Sequence, residues 1–136
     1  MAASESFSDS LKTAREYGLG EFLEIIGELS QESTKKGALD RQTKELITLG
    51  IALAKQCGRC IKIHTSEAKR LDADKKEIAQ VKRIALYHSA TPDVSGDMWK
   101  CWKNAWCEFA MSKGPIAHEV RELIGLGIAL VRQEEE

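Results

Sequence analysis

Apolar positions recur along this chain with the 3.6-residue period of an amphipathic helix, and no stretch alternates as a half-buried strand would. The pattern predicts a first short helix, capped by Ser8 or Ser10 and ending near Gly18-Leu19-Gly20. A second helix is predicted from about Glu21 to Gln31, with Phe22, Ile25, Ile26 and Leu29 on one face and Glu21, Glu24 and Glu28 on a solvated one. Ser33-Thr34-Lys35-Lys36-Gly37 reads as a loop, and Asp40 as the N-cap of a central helix. That helix, through Leu46-Ile47-Thr48-Leu49-Gly50-Ile51-Ala52-Leu53-Ala54, is apolar nearly all round and is expected to be buried on most sides. Glycine inside a helix is unfavourable by about 1 kcal/mol against alanine, so Gly50 points to a close helix contact.

Further along, Asp74 and Glu77 have the spacing of a capping box, and the helix they open carries Ile78, Val81, Ile84 and Ala85 toward a core. His88 falls on the same stripe and reads as a core or interface histidine rather than a ligand. Thr91-Pro92-Asp93-Val94-Ser95-Gly96 breaks the chain before a helix from about Asp97 to Lys113. Trp99, Trp102, Trp106 and Phe109 stripe that helix, a pattern of core or subunit contact, while Cys101 and Cys107 read as buried structural thiols. Gly114-Pro115 is expected to open the last helix, and Glu134-Glu135-Glu136 to form a frayed acidic end. In that last helix Glu122-Leu123-Ile124-Gly125-Leu126-Gly127-Ile128-Ala129-Leu130-Val131-Arg132-Gln133 repeats Glu45-Leu46-Ile47-Thr48-Leu49-Gly50-Ile51-Ala52-Leu53-Ala54-Lys55-Gln56, which points to duplication or to two helices in equivalent places of a pseudo-symmetric bundle. The expectation is one all-α, multihelical domain over residues 1–136.

The charge balance, 20 basic against 21 acidic residues, argues against electrostatic binding of nucleic acid. No apolar run approaches the roughly 20 residues that span a bilayer. Met1-Ala2-Ala3-Ser4-Glu5-Ser6 has neither a basic start nor an apolar core of an export signal, so a cytoplasmic, reducing location is expected. In such a compartment a Cys-x-x-Cys pair is more often catalytic or metal-binding than a permanent disulfide. Cys57-Gly58-Arg59-Cys60-Ile61-Lys62-Ile63-His64 supplies that pair directly after the central helix. If this segment is helical, Cys57, Cys60 and His64 share one face, and His64 is placed to take the Cys60 proton directly or through a water. A thiol near its ordinary pKa is only slightly ionised at neutral pH, so a helix N-terminus, a cation such as Arg59 or a base has to activate it. Glu45 could orient that imidazole only if the chain turns back between Ala54 and Cys57, a turn that Gly58 is expected to ease.

Glu45 followed by Cys57-x-x-Cys60-x-x-x-His64, in a small helical chain, resembles the alkylhydroperoxidase D-like branch of the carboxymuconolactone decarboxylase family. The likeness covers roughly residues 40 to 90, with Leu71 to Ile78 fitting the start of the family's following helix. It implies an all-α bundle in which a buried central helix precedes the cysteine helix, assembled as a homo-oligomer, a trimer or a hexamer. It also implies reduction of a small peroxide, with Cys60 as attacking thiol, Cys57 as resolving thiol, and Glu45 with His64 as proton relay. No bound cofactor is implied; an external dithiol, lipoylated or thioredoxin-like, would restore the pair. One departure is plain: where members of that branch carry a histidine between the cysteines, this chain has Arg59.

The leading expectation is therefore a thiol-dependent peroxidase or protein disulfide reductase, with no nucleic-acid or membrane partner. The runner-up enzyme is a 4-carboxymuconolactone decarboxylase-like activity. A third reading, a metal-binding or structural helical module, would draw on Cys57, Cys60 and His64, but a structural zinc takes four ligands, so His88, His118 or a subunit partner would have to complete the set. Lys69, Arg70, Lys75 and Lys76, just past the motif, read first as a solvated helix surface and second as a dock for an acidic carrier.

Overall fold

The computed structural model describes residues 7–92 and 96–132, and within them it forms seven α-helices and no strand. They are α1 (Phe7–Glu16), α2 (Gly20–Thr34), α3 (Arg41–Ala54), α4 (Gly58–Arg70), α5 (Lys75–Ser89), α6 (Asp97–Met111) and α7 (His118–Arg132). The expected acidic end at Glu134-Glu135-Glu136 lies outside the described residues, as do positions 93–95 of the predicted break. The helices group into two compact units, one up to Gly37 and one from Ala38.

The first unit is a helical hairpin. Helix α1 has already begun at Phe7, so Ser8 and Ser10 lie inside it rather than before it. Gly18, at φ 79°, ends it, with the Leu19 amide reaching back to the Ala14 carbonyl at 3.0 Å. That is the left-handed cap for which glycine is suited. Helix α2 runs longer than its periodicity indicated and buries none of its residues. Its apolar face is open: Phe22, Ile25, Ile26 and Leu29 are all exposed, as are Glu21, Glu24 and Glu28 opposite.

The second unit is built around α3, which packs against α4, α5 and α7. Asp40 caps it as predicted, accepting from the Thr43 amide at 2.7 Å. None of its apolar side chains is exposed, because neighbours cover it on three sides. The core comprises Leu46 and Leu49 from α3, Val81 and Ile84 from α5, Trp106 and Phe109 from α6, and Ile124 and Ile128 from α7. Full burial of a side chain such as Leu49, Ile84 or Ile124 stabilises by about 1.5–3 kcal/mol.

Helices α3 and α7, the repeated pair, cross reciprocally. A Cβ on Gly50 would meet Ile124 and Ile128, and a Cβ on Gly127 would meet Ile47 and Ile51. In the repeat Gly50 matches Gly127, Ile47 matches Ile124 and Ile51 matches Ile128, so each glycine receives the partner's equivalent isoleucines. Helix α5 opens with the predicted capping box, Asp74 accepting from the Glu77 amide while Glu77 accepts from the Asp74 amide, both at 2.8 Å.

Two further boundaries differ from the sequence reading. Helix α6 stops at Met111, and α7 starts at His118 rather than at Gly114-Pro115. Between them the chain is pinned: Ile116 is buried and its amide donates to the Gln80 side chain at 3.0 Å. The buried Arg121 guanidinium donates to the Phe109 and Ser112 carbonyls, satisfying acceptors that the end of α6 leaves open.

Candidate functional site

The site is assembled by the elbow between α3 and α4. At the end of α3 the Cys57 amide reaches the Ala52 carbonyl at 3.1 Å and the Gln56 amide reaches Leu53 at 3.1 Å, the paired bonds of a Schellman turn. The residue in the left-handed conformation is Gln56, at φ 55°. Gly58 was expected to ease this turn but is instead the first residue of α4, so the reversal is complete before it is reached. Cys57 is then the N-cap of α4, its sulfur accepting from the Cys60 amide at 3.3 Å.

Cys57 and Cys60 are joined as a disulfide, their Cα atoms 5.2 Å apart. One turn beyond Cys60, His64 points back at α3, and its Nδ1 lies 2.8 Å from Glu45 Oε2. The Glu45 side chain is 11% exposed and that of His64 26%. The elbow thus pairs the four residues singled out from the sequence two by two, Cys57 with Cys60 and Glu45 with His64. A carboxylate only accepts, so Nδ1 carries the hydrogen of this bond, and in the neutral form of the ring Nε2 is then the acceptor. An imidazole held in one tautomer by a buried carboxylate is equipped to take a proton from a neighbouring thiol. A helix N-terminus favours thiolate over thiol, and here that influence falls on the Cys57 sulfur.

Glu122, the repeat's counterpart of Glu45, is exposed, whereas Glu45 is buried. The two glutamates are equivalent in sequence but only the first has a second helical arm folded over it. Among the described residues, no three His, Cys, Asp or Glu side chains come together as a metal site. His118 is exposed and lies 3.0 Å from Glu119. His88 is buried edge-on to the rings of Trp102 and Trp106, in keeping with its reading as a core histidine.

Of the aromatic stripe, Trp106 and Phe109 enter the core while Trp99 and Trp102 are half-buried and stack on one another. Cys101 and Cys107 are both free and exposed, which corrects their reading as buried thiols: α6 turns its tryptophan side inward and these positions fall elsewhere around the helix. The structure also forms an open cleft of about 320 Å³ lined by Lys76, Gln80, Arg83, Phe109 and Lys113. Its three cations are scattered along the sequence, so no local motif announced it.

At the far end of α4 from the cysteines, the Arg70 guanidinium, hydrogen-bonded to Glu67 at 2.7 and 3.0 Å, holds that carboxyl below the usual carboxylate range. The ion pair in turn raises the Arg70 pKa.

A sequence model of the carboxymuconolactone decarboxylase family matches residues 20–104, which include the elbow and both of its arms. An uncharacterized protein of Cupriavidus necator is 35% identical over 60 residues, 44% of this chain and 53% of that protein. The chain thus spans about half the length of the curated relative it matches. No solved structure gives a significant match.

Proposed function

This chain belongs to the carboxymuconolactone decarboxylase family, and on that premise we propose that it is a thiol-dependent peroxidase of the alkylhydroperoxidase kind. The family holds both such peroxidases and decarboxylases. What supports the peroxidase reading is the Glu45–His64 hydrogen bond at 2.8 Å beside a bonded Cys57–Cys60 pair.

In the proposed cycle His64 Nε2 takes the Cys60 proton, and the thiolate attacks the terminal oxygen of a small peroxide. The O–O bond breaks, Cys60 becomes a sulfenic acid and the alcohol leaves with a proton. The Cys57 thiol then displaces water from the sulfenic acid and the disulfide forms. An external dithiol, lipoylated or thioredoxin-like, returns two electrons and two protons to the sulfurs. During that return Cys57, at the N-terminus of α4, is the better leaving thiolate. No bound cofactor takes part. Exposed Leu126 and Leu130 on α7 offer apolar surface for a homo-oligomer, trimer or hexamer. No helix among the described residues is long and apolar enough to cross a membrane, and a cytoplasmic setting would keep the pair cycling.

The test is a thiol titration of reduced protein before and after one equivalent of peroxide, with dithiol-driven turnover measured in wild type and Cys60→Ser. The expected result is loss of two thiols and turnover that disappears in the variant. Unchanged turnover in Cys60→Ser would remove the proposal.

A second reading, a lactone decarboxylase, is favoured by the cleft with Lys76, Arg83 and Lys113, whose three cations suit a polycarboxylate. Loss of lactone absorbance on adding the protein would support it.

A further inference from the structure

The exposed side of α4 is cationic from the disulfide to its last turn. Arg59, Lys62, Ile63, Ser66, Lys69 and Arg70 are all exposed, and their spacing of three and four residues puts them on one face. Four of the six are basic and none is acidic. Glu67, the one acid on α4, lies half-buried and ion-paired to Arg70. Lys55, also exposed, extends the charge across the elbow, and Asp72 and Asp74 come only after the helix has ended. Such a stripe stands out on a chain whose formal net charge is -1. The half-exposed Ile63 gives it an apolar centre.

We propose that this stripe is the docking surface for a protein that carries its dithiol on an acidic face, the reductant of the Cys57–Cys60 pair. The inference rests on the redox reading above and names the kind of partner that site takes. The reach of the charges selects a macromolecule. From Arg59 to Arg70 the helix rises about 16 Å, while charges in 0.1 M salt are screened over about 10 Å. A small anionic thiol therefore senses only the cations nearest the sulfurs, whereas an acidic face laid along α4 meets the whole row. Once docked, a thiolate of the carrier attacks one sulfur of the pair and breaks the Cys57–Cys60 bond, forming a mixed disulfide. The carrier's second thiol resolves it, leaving an oxidised carrier and two protein thiols, with two electrons and two protons transferred.

The experiment uses three reduced synthetic peptides that share a two-cysteine core and differ in flanks of glutamate, serine or lysine. Each reduces the oxidised full chain, as wild type and as the double variant Lys62→Glu, Lys69→Glu, and alkylation followed by mass measurement gives the rate. The wild-type to variant ratio cancels the intrinsic reactivity of each peptide. At low ionic strength the ratio is expected to be about 10 for the glutamate peptide, near 1 for serine and below 1 for lysine, all converging on 1 by about 0.5 M salt. Equal ratios for the three peptides overturn the docking surface while leaving the redox pair standing. Failure of the serine peptide to reduce the wild-type disulfide overturns the redox reading, and the docking surface with it. Should the double variant not fold, the wild type alone decides: a glutamate-peptide rate that does not fall with salt overturns the proposal. Binding of a single-stranded DNA oligonucleotide that competes with the glutamate peptide would assign the stripe to nucleic acid and overturn it as well.

Discussion

Replacing Gly50 with alanine tests the crossing of α3 and α7 that holds the site's first arm. The added methyl would sit 2.6 Å from Ile124 Cγ2, 3.5 Å from Ile128 Cδ1 and 3.6 Å from Val81 Cγ1. The first distance is about 1 Å inside ordinary contact, and the atom it meets is no flexible chain end. Ile124 is fully buried and β-branched, so its Cγ2 moves only with the χ1 rotamer or the backbone. Overpacking of this kind costs about 1–3 kcal/mol, and this contact is at the upper end. Against it stands the gain in helix propensity of about 1 kcal/mol on replacing glycine by alanine. The net is a destabilisation of about 2 kcal/mol. For a chain of this size that lowers Tm by about 8 °C. Gly127→Ala is the matched control, because its methyl would meet Ile47 at 3.2 Å and Ile51 at 3.3 Å, both half-buried and freer to give. There the propensity gain and the contact nearly cancel. Thermal unfolding followed by circular dichroism at 222 nm measures both. A Gly50→Ala protein as stable as wild type, or more stable than Gly127→Ala, would refute the crossing described here.

Other substitutions probe the site and its frame. Glu45→Gln removes the carboxylate that fixes the His64 tautomer and is expected to lower peroxide turnover at least 100-fold, with Glu122→Gln within 2-fold of wild type; steady-state assays of the two compare them directly. Gln56→Gly relieves a left-handed conformation that suits glycine and should raise stability by about 1 kcal/mol in urea unfolding. Arg121→Ala strips the donors from the Phe109 and Ser112 carbonyls and should destabilise by about 3 kcal/mol in the same assay. Because its pKa is lowered in the folded state, the Glu67–Arg70 pair contributes in full at neutral pH and is lost as pH falls through that lowered pKa. In Arg70→Gln the carboxyl should therefore titrate at higher pH, which carbon-detected NMR of the glutamate side chains would record.

What could be read from the sequence was chiefly what local chemistry determines. Asp40, and Asp74 with Glu77, cap their helices because a short acid at that position meets free amides whatever lies around it. Glu45 and His64 could be paired because they stand at similar distances from the elbow along two rigid rods. The turn residue was another matter. Glutamine carries no preference for positive φ, and Gln56 adopts it because the reversal of α3 into α4 demands it there. Exposure was also out of reach where packing decides it: Cys101 and Cys107 are open because α5 and α7 cover another side of α6. Periodicity gave α2 an apolar face without saying that this face would be uncovered. Nor does a lone arginine in a sequence reveal that, as Arg121 does, it will close the end of a preceding helix.

Every group the proposed chemistry needs lies within the twenty residues from Glu45 to His64, on two rods joined at Gln56. Such chemistry is portable as one cassette, since no distant strand or loop has to be inherited along with it. The partial echo at Glu122 marks the limit of that economy: a repeated first rod supplies scaffold and an acid, while the cysteines and the histidine of the proposed chemistry come only with the second.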